Sequence, residues 1–266
     1  MNQTAEIRDA ILLVAGVGSR LRPLTDELPK CLLEVGGQPL LVRLLRQLAS
    51  HGVDHAVLAT GYLEPKIRAC VAGHSDLPDI TIRDNPDFAQ TNNAESLRRA
   101  MPAVDGRPFI LCDGDILVRK SGWLGELLGG ANPSNKRRNV LAMISPEEMG
   151  EEEMKIAVAP ADAPLAERPV VGLSKELDPT ESVGESLGVQ TISASFFDPL
   201  LERLDQMSDD ERASSYYEDI FAELMGEQHP FWVHRVPVDC WTEIDTVEDL
   251  EYARRLYAGW RETAPT

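Results

Sequence analysis

The sequence predicts an α/β fold in which a mainly parallel sheet is covered by helices on both faces. Short apolar runs that suit buried strands alternate with stretches at helical spacing, and the connections between them are short. Alternation of this kind is typical of parallel sheets, because each crossover places a helix on a face of the sheet. Hydrophobic residues make up 43% of the 266 residues, which is enough for a substantial core.

The first half of the chain shows the alternation most clearly. Residues 10–15 (AILLVA) form an apolar run that ends at Gly16, which is typical of a buried strand opening into a glycine loop. Gly52, Gly73 and Pro102 follow three helical patterns, as expected at helix ends. The sequence predicts strands over residues 10–15, 55–60, 80–83 and 109–112, and helices over residues 39–50, 64–72 and 93–101.

The second half is less regular, and no linker separates two independent cores. The predicted strands cover residues 140–144, 155–159, 188–197 and 231–238, and the predicted helices cover residues 199–207, 218–225 and 246–257. Residues 147–153 and the Pro/Ala-rich residues 160–169 are typical of exposed loops. The simplest organisation is one domain over residues 1–266.

Composition narrows the class of protein. The formal net charge is −18, from 44 acidic and 26 basic side chains, so nucleic acids and anionic membranes are not expected partners. The first residues (MNQTAEIRD) are polar and the chain has no long apolar run, which predicts neither a signal peptide nor a membrane span and favours a cytoplasmic protein. The four cysteines are far apart, so neither a disulfide frame nor a structural zinc site is expected.

The loop after the first strand is the most informative segment. It reads GVGSRLRPLT from Gly16 and continues to Lys30. A dinucleotide-binding loop needs a third glycine where this chain has Leu21, and a P-loop needs a Gly-Lys-Ser/Thr that does not follow. A third kind of loop fits, in which glycine amides bind triphosphate oxygens while Arg20 and Lys30 supply positive charge. The plain alternative is a surface loop with ordinary turn residues.

Together with that loop, later segments resemble a known family. The string LVAGVGSRLRPLTDELPKCLLEVGGQPLL is similar to the signature of the sugar-phosphate nucleotidyltransferase superfamily, and the likeness continues in NPDFAQTNNAESL, CDGDI, GESLGVQ and EIDTVEDLEYAR. The similarity is greatest to the small cytidylyltransferases that act on phosphocholine or 2-aminoethylphosphonate. It covers about residues 10–257 and is weaker between residues 131 and 181. The resemblance implies a Rossmann-like three-layer α/β/α sandwich with a mixed, mostly parallel central sheet.

The same resemblance implies a function. CMP would be transferred from CTP to a small phosphorylated or phosphonate acceptor, with Mg²⁺ as cofactor and pyrophosphate as product. The single domain would hold a nucleotide-binding half (about 10–130), an acceptor-binding half (about 131–245) and a C-terminal helix (246–258). CTP rests on the resemblance alone, because no residue here distinguishes cytosine from uracil or guanine.

Residues for the nucleotide follow from the resemblance. Arg20 and Lys30 are the expected catalytic residues. The expected nucleotide-binding residues are Val14, Ala15, Gly16, Val17, Gly18, Ser19, Arg20, Asn92, Asn93, Ser96 and Asp113. A simpler explanation exists for Asn92 and Asn93, since either could merely cap the helix that begins there. Both explanations can hold, because a cap and a ligand contact can use different atoms.

Two separate acidic positions are candidate Mg²⁺ ligands, because Mg²⁺ is commonly held by one or two carboxylates plus phosphates and water. Asp115 follows the strand over residues 109–112 at its carboxyl end, where ligands of α/β sheets bind. Asp245 precedes a helix, so an ordinary N-cap is the competing explanation. Glu243 and Asp245 alternate along an extended segment and would face the same side. The resemblance implies Asp115 and Asp245 as the metal ligands, with Asp113 as a neighbour.

The acceptor pocket is expected in the second half of the chain. Acidic and aromatic side chains together suit a cationic amine or quaternary ammonium group, through charge and cation–π attraction. The candidates are Glu185, Tyr216, Glu218, Asp219, Trp241 and Glu243. They could equally be core, interface or solvated residues in so acidic a chain.

Two other functions stay open. One is a sugar-1-phosphate uridylyl- or thymidylyltransferase, whose pocket would favour sugar hydroxyls. The other is a catalytically inactive, nucleotide-sensing regulatory protein, which the retention of Arg20, Lys30, Asp115 and Asp245 disfavours.

Overall fold

A nine-stranded sheet lies at the centre of the computed structural model, which describes residues 6–129, 139–145, 149–150 and 153–263. The strands of these residues are β1 (Asp9–Val14), β2 (Glu34–Val35), β3 (Gln38–Pro39), β4 (His55–Thr60), β5 (Asp79–Asp84), β6 (Phe109–Asp113), β7 (Ile116–Val118), β8 (Asn139–Ile144), β9 (Lys155–Val158), β10 (Val170–Ser174), β11 (Gly184–Ile192), β12 (Phe231–Arg235) and β13 (Trp241–Glu243). The helices are α1 (Leu40–Ser50), α2 (Glu64–Ala72), α3 (Asn93–Ala100), α4 (Gly122–Leu127), α5 (Ala194–Asp205), α6 (Asp209–Ser214), α7 (Tyr217–Leu224) and α8 (Val247–Thr263).

The sheet is mixed, as predicted. Strands β5, β4, β1 and β6 are neighbours in that order and all parallel. Strand β11 then pairs antiparallel with both β6 and β8, and β12 runs parallel to β8. The first residues of β11 also pair with β9, which pairs with β10. The carboxyl ends of β1 and β6 therefore lie side by side, where ligands of α/β sheets bind.

Strand β1 is buried on both faces, because helices cover both faces of the sheet. Ala10 and Leu12 pack into a core with leucines of α1, whereas Ile11 and Leu13 pack into a second core with apolar residues of α3, α5 and α7. Successive side chains of a strand point to opposite faces, so an uninterrupted apolar run is expected where both faces are covered. The three-layer prediction is confirmed.

A smaller third core joins the N-terminal loop to the C-terminal helix. Leu21 of the loop is fully buried against Ile244 and against Leu250 of α8, together with residues of the β2–β3 hairpin. Arg254 of α8 donates to the carbonyl oxygen of Glu34 at 3.1 Å. The loop after β1 and the segment before α8 thus share one hydrophobic support.

The predicted strand over residues 188–197 is wrong in its second half. Strand β11 ends at Ile192 and α5 begins at Ala194, five residues before the predicted helix start at Pro199. Phe196 and Phe197 read as strand residues in the sequence because aromatic residues favour strands. In the structure they lie on α5 and are buried in the second core, so tertiary packing outweighs that propensity.

Short elements account for most other differences. Strand β12 ends at Arg235 instead of Val238, and Pro237, which has no amide hydrogen for a ladder, lies just beyond it. Strands β7, β10 and β13, the β2–β3 hairpin and helices α4 and α6 were not predicted. Strands β2, β3, β7 and β13 have only two or three residues, too few to show a period. The predicted loop at residues 147–153 falls partly outside the described residues. Among the described residues, every helix is too short or too polar to cross a lipid bilayer.

Candidate active site

The glycine loop after β1 is held in a defined shape. Gly18 has a φ of 65°, in the left-handed region that favours glycine. A Cβ at Gly18 would lie 3.0 Å from Cβ of Lys30, so the loop approaches that lysine closely. The buried hydroxyl of Thr25 donates to the carbonyl oxygen of Gly18 at 2.8 Å, and the hydroxyl of Tyr62 donates to the carbonyl oxygen of Thr25 at 2.8 Å. These contacts keep backbone amides and Lys30 together at the end of β1.

Three carboxylates converge beside this loop. Asp115 lies just after β6. Glu243 is the last residue of β13, which pairs antiparallel with β7, and Asp245 lies two residues further on. The amide of Ile244 donates to the carbonyl oxygen of Asp115 at 3.0 Å, which draws the two segments together. One oxygen from each of the three carboxylates lies within 4.8 Å of the others.

Basic side chains reach into the carboxylate cluster. Nζ of Lys30 lies 2.8 Å from Oδ2 of Asp115 and also contacts Oδ1 of Asp245. Arg20 donates to Oδ2 of Asp245 at 2.7 Å. Burial lowers the pKa of Lys30, but the two aspartates outweigh burial and leave that pKa raised. Lys30 therefore stays protonated at neutral pH.

The N-cap of α8 is not Asp245. The carboxylate of Asp249 accepts hydrogen bonds from the amide of Thr246 at 2.8 Å and from the amide of Asp245 at 3.1 Å. The hydroxyl of Thr246 accepts from the amide of Asp249 at 3.2 Å, which completes a capping pair. The side chain of Asp245 is consequently turned away from the helix terminus and toward Lys30 and Arg20.

Asp113 lies behind Asp115 and contacts a different set of groups. The hydroxyl of Tyr217 donates to Oδ2 of Asp113 at 3.1 Å. Burial raises the pKa of Asp113 well above its ordinary value, and the charges of Glu218 and Asp115 act in the same direction. Strand β11 has a register shift between Ser186 and Gln190, a bulge that brings the backbone against Asp113.

Gly188 within this bulge gives a testable prediction. Its φ is 66°, and a Cβ there would overlap Oδ2 of Asp113 and lie 2.9 Å from its Cγ. We expect Gly188→Ala to displace Asp113 and to lower the free energy of unfolding by about 3 kcal/mol, from backbone strain plus the steric conflict. Gly37→Ala is the matched control, because Gly37 has a φ of 76° and open space around its Cβ position. Urea unfolding of both variants measures the difference, and equal losses would show that the contact with Asp113 does not matter.

The side chains of Asn92 and Asn93 both accept hydrogen bonds from backbone amides at the starts of helices. Oδ1 of Asn92 accepts from the amide of Asn93 at the start of α3 at 2.8 Å, and Oδ1 of Asn93 accepts from the amide of Tyr217 at the start of α7 at 2.9 Å. Nδ2 of Asn92 donates to the carbonyl oxygen of Ser214 at 2.9 Å. The capping explanation therefore holds for Asn92 at α3, whereas Asn93 binds an amide of another helix. Both residues also line a cavity.

Two adjoining cavities occupy this end of the sheet. One has a volume of about 430 Å³ and extends from the loop toward α7, and the other has a volume of about 480 Å³ and lies over the loop. Arg20, Asp115 and Asp245 line both cavities. The loop, the carboxylate cluster and the α3 N-terminus thus surround one continuous region.

Comparison with known proteins places this arrangement in a family. The model of the MobA-like NTP transferase domain matches residues 10–263. This chain belongs to the MobA-like NTP transferase family. The predicted relationship to the nucleotidyltransferase superfamily is confirmed. Enzymes of this kind generally use a divalent metal.

Individual relatives of this chain differ in the nucleotide that their names print. A 2-aminoethylphosphonate cytidylyltransferase from Lancefieldella rimae is 28% identical over 114 residues, 43% of this chain and 45% of that protein. An N-acetylmuramate alpha-1-phosphate uridylyltransferase from Neisseria meningitidis serogroup B is 35% identical over 110 residues, 41% of this chain and 47% of that protein. The match spans about half the length of these relatives. The structure of CTP:phosphocholine cytidylyltransferase from Streptococcus pneumoniae superposes with a TM-score of 0.71, over 94% of this chain and 99% of that one, and at 21% identity this likeness shows the fold alone.

Most residues predicted for the site lie around the two cavities. Those lining the cavity toward α7 include Ala15, Gly16, Asn92, Asn93, Ser96, Asp113, Tyr216, Glu218 and Glu243. Those lining the cavity over the loop include Val14, Gly18, Ser19 and Lys30. The structure therefore brings together residues that lie far apart in the sequence.

Four predicted residues lie elsewhere, and none of them is among the described residues that line these two cavities. The carboxylate of Asp219 accepts from the amide of Tyr216 at 2.8 Å and so caps α7. Trp241 lines a separate depression of about 310 Å³. Glu185 lies on β11 opposite Lys155, where burial and the charge of Glu153 raise its pKa to about 7. Val17 lies in the loop and is partly exposed.

Other residues that line the two cavities were not predicted from the sequence. They are Leu13, Cys31, Phe88, Gly114, Glu153, Met154, Lys175, Ser186, Leu187 and Gly188, with Thr91 in the turn before α3. Nζ of Lys175 lies 4.7 Å from the centre of the Tyr216 ring, over its face. Ser186, Leu187 and Gly188 belong to the GESLGVQ string, which was a usable signal. Lys175 follows β10, a short strand that was not predicted, and no signal in the sequence pointed to it.

The carboxylate cluster fits a divalent metal ion. Oδ1 of Asp115 is buried and has no hydrogen-bond partner among the described residues. Carboxylate oxygens are the ligands that hard cations such as Mg²⁺ prefer, and the oxygens of Asp115, Glu243 and Asp245 are already close together. The ammonium group of Lys30 contacts two of these side chains, which shows that a positive charge is favourable there.

Proposed function

We propose that this chain is a Mg²⁺-dependent cytidylyltransferase that transfers CMP from CTP to a small phosphorylated or phosphonate acceptor bearing an amine. The observation that carries the proposal is the convergence of Lys30, Arg20 and the three carboxylates at the end of β1, beside the glycine loop. Support for cytidine comes from the 2-aminoethylphosphonate cytidylyltransferase relative and for the architecture from the phosphocholine cytidylyltransferase fold.

The chemistry joins two anions. An oxygen of the acceptor attacks the α-phosphorus, the new O–P bond forms as the bond to the bridging oxygen of the β-phosphate breaks, and pyrophosphate leaves with that electron pair. Such transfers depend on positioning and on positive charge that neutralises the phosphates. When bound at Asp115 and Asp245, with Glu243 beside them, Mg²⁺ would neutralise phosphate oxygens.

The residues of the loop have distinct tasks in this proposal. Gly16 and Gly18 let backbone amides approach the triphosphate, and the planar guanidinium of Arg20 binds the β- and γ-phosphates. Lys30 supplies a compact charge near the α-phosphorus. Both cations are paired with carboxylates of the site in this structure, so they are held in place before substrate binds.

Acidic groups favour an amine on the acceptor. Glu218 is only 6% exposed, and its Oε2 has no hydrogen-bond partner among the described residues. Burial raises the pKa of Glu218 to about 7, and a cationic partner would restore its charge. Tyr216 lines the same cavity as Glu218, and an aromatic ring with a carboxylate suits an ammonium group. With the amine of the acceptor beside Glu218, its phosphate or phosphonate group would lie on the side of Lys30.

The decisive experiment crosses nucleotides with acceptors. We expect pyrophosphate release with CTP plus phosphocholine or 2-aminoethylphosphonate to exceed release with any other pair by about tenfold or more in kcat/KM. CTP, UTP, dTTP, ATP and GTP would each be tested with those acceptors, phosphoethanolamine, inositol phosphate and several sugar 1-phosphates. Release with sugar phosphates alone would contradict the acceptor, and release with UTP alone would contradict the nucleotide.

A second candidate is a sugar-1-phosphate uridylyltransferase. The relative that transfers a uridylyl group to N-acetylmuramate 1-phosphate is more identical to this chain than the 2-aminoethylphosphonate cytidylyltransferase is, at 35% against 28%. The same crossing experiment separates the two candidates, because N-acetylmuramate 1-phosphate can be included among the acceptors.

A further inference from the structure

We infer that Arg212 positions the acceptor side of the cavity against its nucleotide side through the buried carboxylate of Glu95. The inference rests on the proposed function, which assigns the two sides to two substrates. The nucleotide side is carried by α3, with Asn92 and Ser96 in the cavity. The acceptor side is the α6–α7 segment (residues 209–218), with Tyr216 and Glu218 in the same cavity.

Glu95 is the hub of an ion-pair network. Its side chain is 1% exposed and accepts hydrogen bonds from Arg98 at 2.7 and 2.8 Å, from Arg99 at 2.6 Å and from Arg212 at 3.2 Å. A buried carboxylate requires such partners, since an unpaired buried charge is strongly destabilising. Burial raises the pKa of Glu95, but the bonds from Arg98 and Arg99 outweigh burial and lower that pKa. Arg98 and Arg99 thus favour the ionised form of Glu95.

Arg212 differs from the other two arginines in where it comes from. Arg98 and Arg99 belong to α3, like Glu95, whereas Arg212 belongs to α6. The carbonyl oxygen of Arg212 also accepts from the amide of Asn92 at 2.8 Å, so this one residue contacts α3 through both its side chain and its backbone. Arg212 consequently connects α6 to α3, whereas Arg98 connects α3 to Asp205 of α5 and Arg99 connects it to Asp87.

The connection controls the relative position of substrate-facing groups. Nδ2 of Asn92 donates to the carbonyl oxygen of Ser214, and Oδ1 of Asn93 accepts from the amide of Tyr217 at the start of α7. Tyr216 and Glu218 flank that amide. Loss of the Arg212 side chain would leave these backbone contacts without their ionic support, and a displacement of about 1 Å between reacting groups can lower rates about 100-fold.

Arg212→Gln tests the inference with two readouts. We expect the KM of the acceptor to rise about tenfold while the KM of CTP changes by less than about twofold, because α3 itself keeps its own contacts. Hydrogen exchange, which needs no activity, should become faster in peptides that contain the amides of Asn92 and Tyr217. Arg212→Lys should partly restore both readouts, since lysine keeps the charge but not the planar fork.

Arg98→Gln is the matched control. It removes two hydrogen bonds from the same carboxylate but none from α6, and Arg98 bonds Asp205 of α5 instead. This variant should lower the unfolding temperature without changing the ratio of the two KM values. Equal exchange in wild type and Arg212→Gln, or equal effects of Arg98→Gln and Arg212→Gln, would overturn the inference. An inactive wild type would contradict the proposed function instead, and the exchange result would still decide the role of Arg212.

Discussion

Lys30→Met is expected to lower kcat/KM for pyrophosphate release by about 1,000-fold. The side chain of Lys30 is 14% exposed and its ammonium group contacts both Asp115 and Asp245. Removing one preorganised charge that faces a developing phosphate anion costs about 3–4 kcal/mol in related situations. Methionine keeps most of the apolar stem, so packing under Gly18 should survive. Steady-state kinetics with CTP and the best acceptor give the measurement.

The same variant should change how the protein responds to metal. Without the ammonium group, three carboxylates repel one another, so the metal-free variant should unfold at a lower temperature and gain more from added Mg²⁺ than wild type does. Lys120→Met is the control, because Lys120 pairs with the exposed Asp239 away from both cavities. A kcat/KM of Lys30→Met within about threefold of wild type would rule out the proposed role of Lys30.

Asp115→Asn is expected to lower kcat by about 100-fold or more and to raise the Mg²⁺ concentration required for half-maximal activity. Asparagine is nearly the same size but has no charge, and the buried Oδ1 of Asp115 has no other described partner that would replace a metal ion. Isothermal titration with Mg²⁺ in the absence of substrates measures the lost affinity independently of turnover. Asp54→Asn serves as control, since Asp54 forms an exposed pair with Arg8.

If the Mg²⁺ titration of Asp115→Asn were unchanged, carboxylates other than Asp115 would have to bind the metal ion. Asp113 is the neighbour in sequence, but its Oδ2 accepts from Tyr217 and its pKa is raised well above the ordinary value. Oδ1 of Asp115, in contrast, is buried and has no hydrogen-bond partner among the described residues. The structure therefore favours Asp115 over Asp113, a choice that residue types alone did not allow.

Local chemistry explains which parts of the site could be predicted. Gly18 and Lys30 lie in one continuous segment after β1, so their spacing is visible in the sequence. Asp115 lies two residues after the end of an apolar strand. The choice between cap and ligand at Asp245 depended on Asp249, which satisfies the amides at the start of α8. Capping pairs at this spacing are visible in a sequence, but their geometry is not.

Tertiary contacts explain what could not be predicted. Lys175 reaches Tyr216 across the cavity, and nothing in the sequence relates the turn after β10 to the start of α7. Asp219 looked like an acceptor residue because it is acidic and follows Glu218, yet one turn of helix directs its carboxylate to the amide of Tyr216. Phe196 and Phe197 suited a strand by propensity and were placed on α5 by burial.

The third core has a consequence for the order in which the enzyme assembles during translation. Leu21 leaves the ribosome more than 200 residues before Leu250 and Ala253, which share its core. Contacts between such distant segments form late, because a long stretch of chain must be closed to make them. A nascent chain could thus pair β1, β4 and β6 while its glycine loop still lacks hydrophobic support. Synthesis of α8 then becomes the step that completes the support of the candidate site.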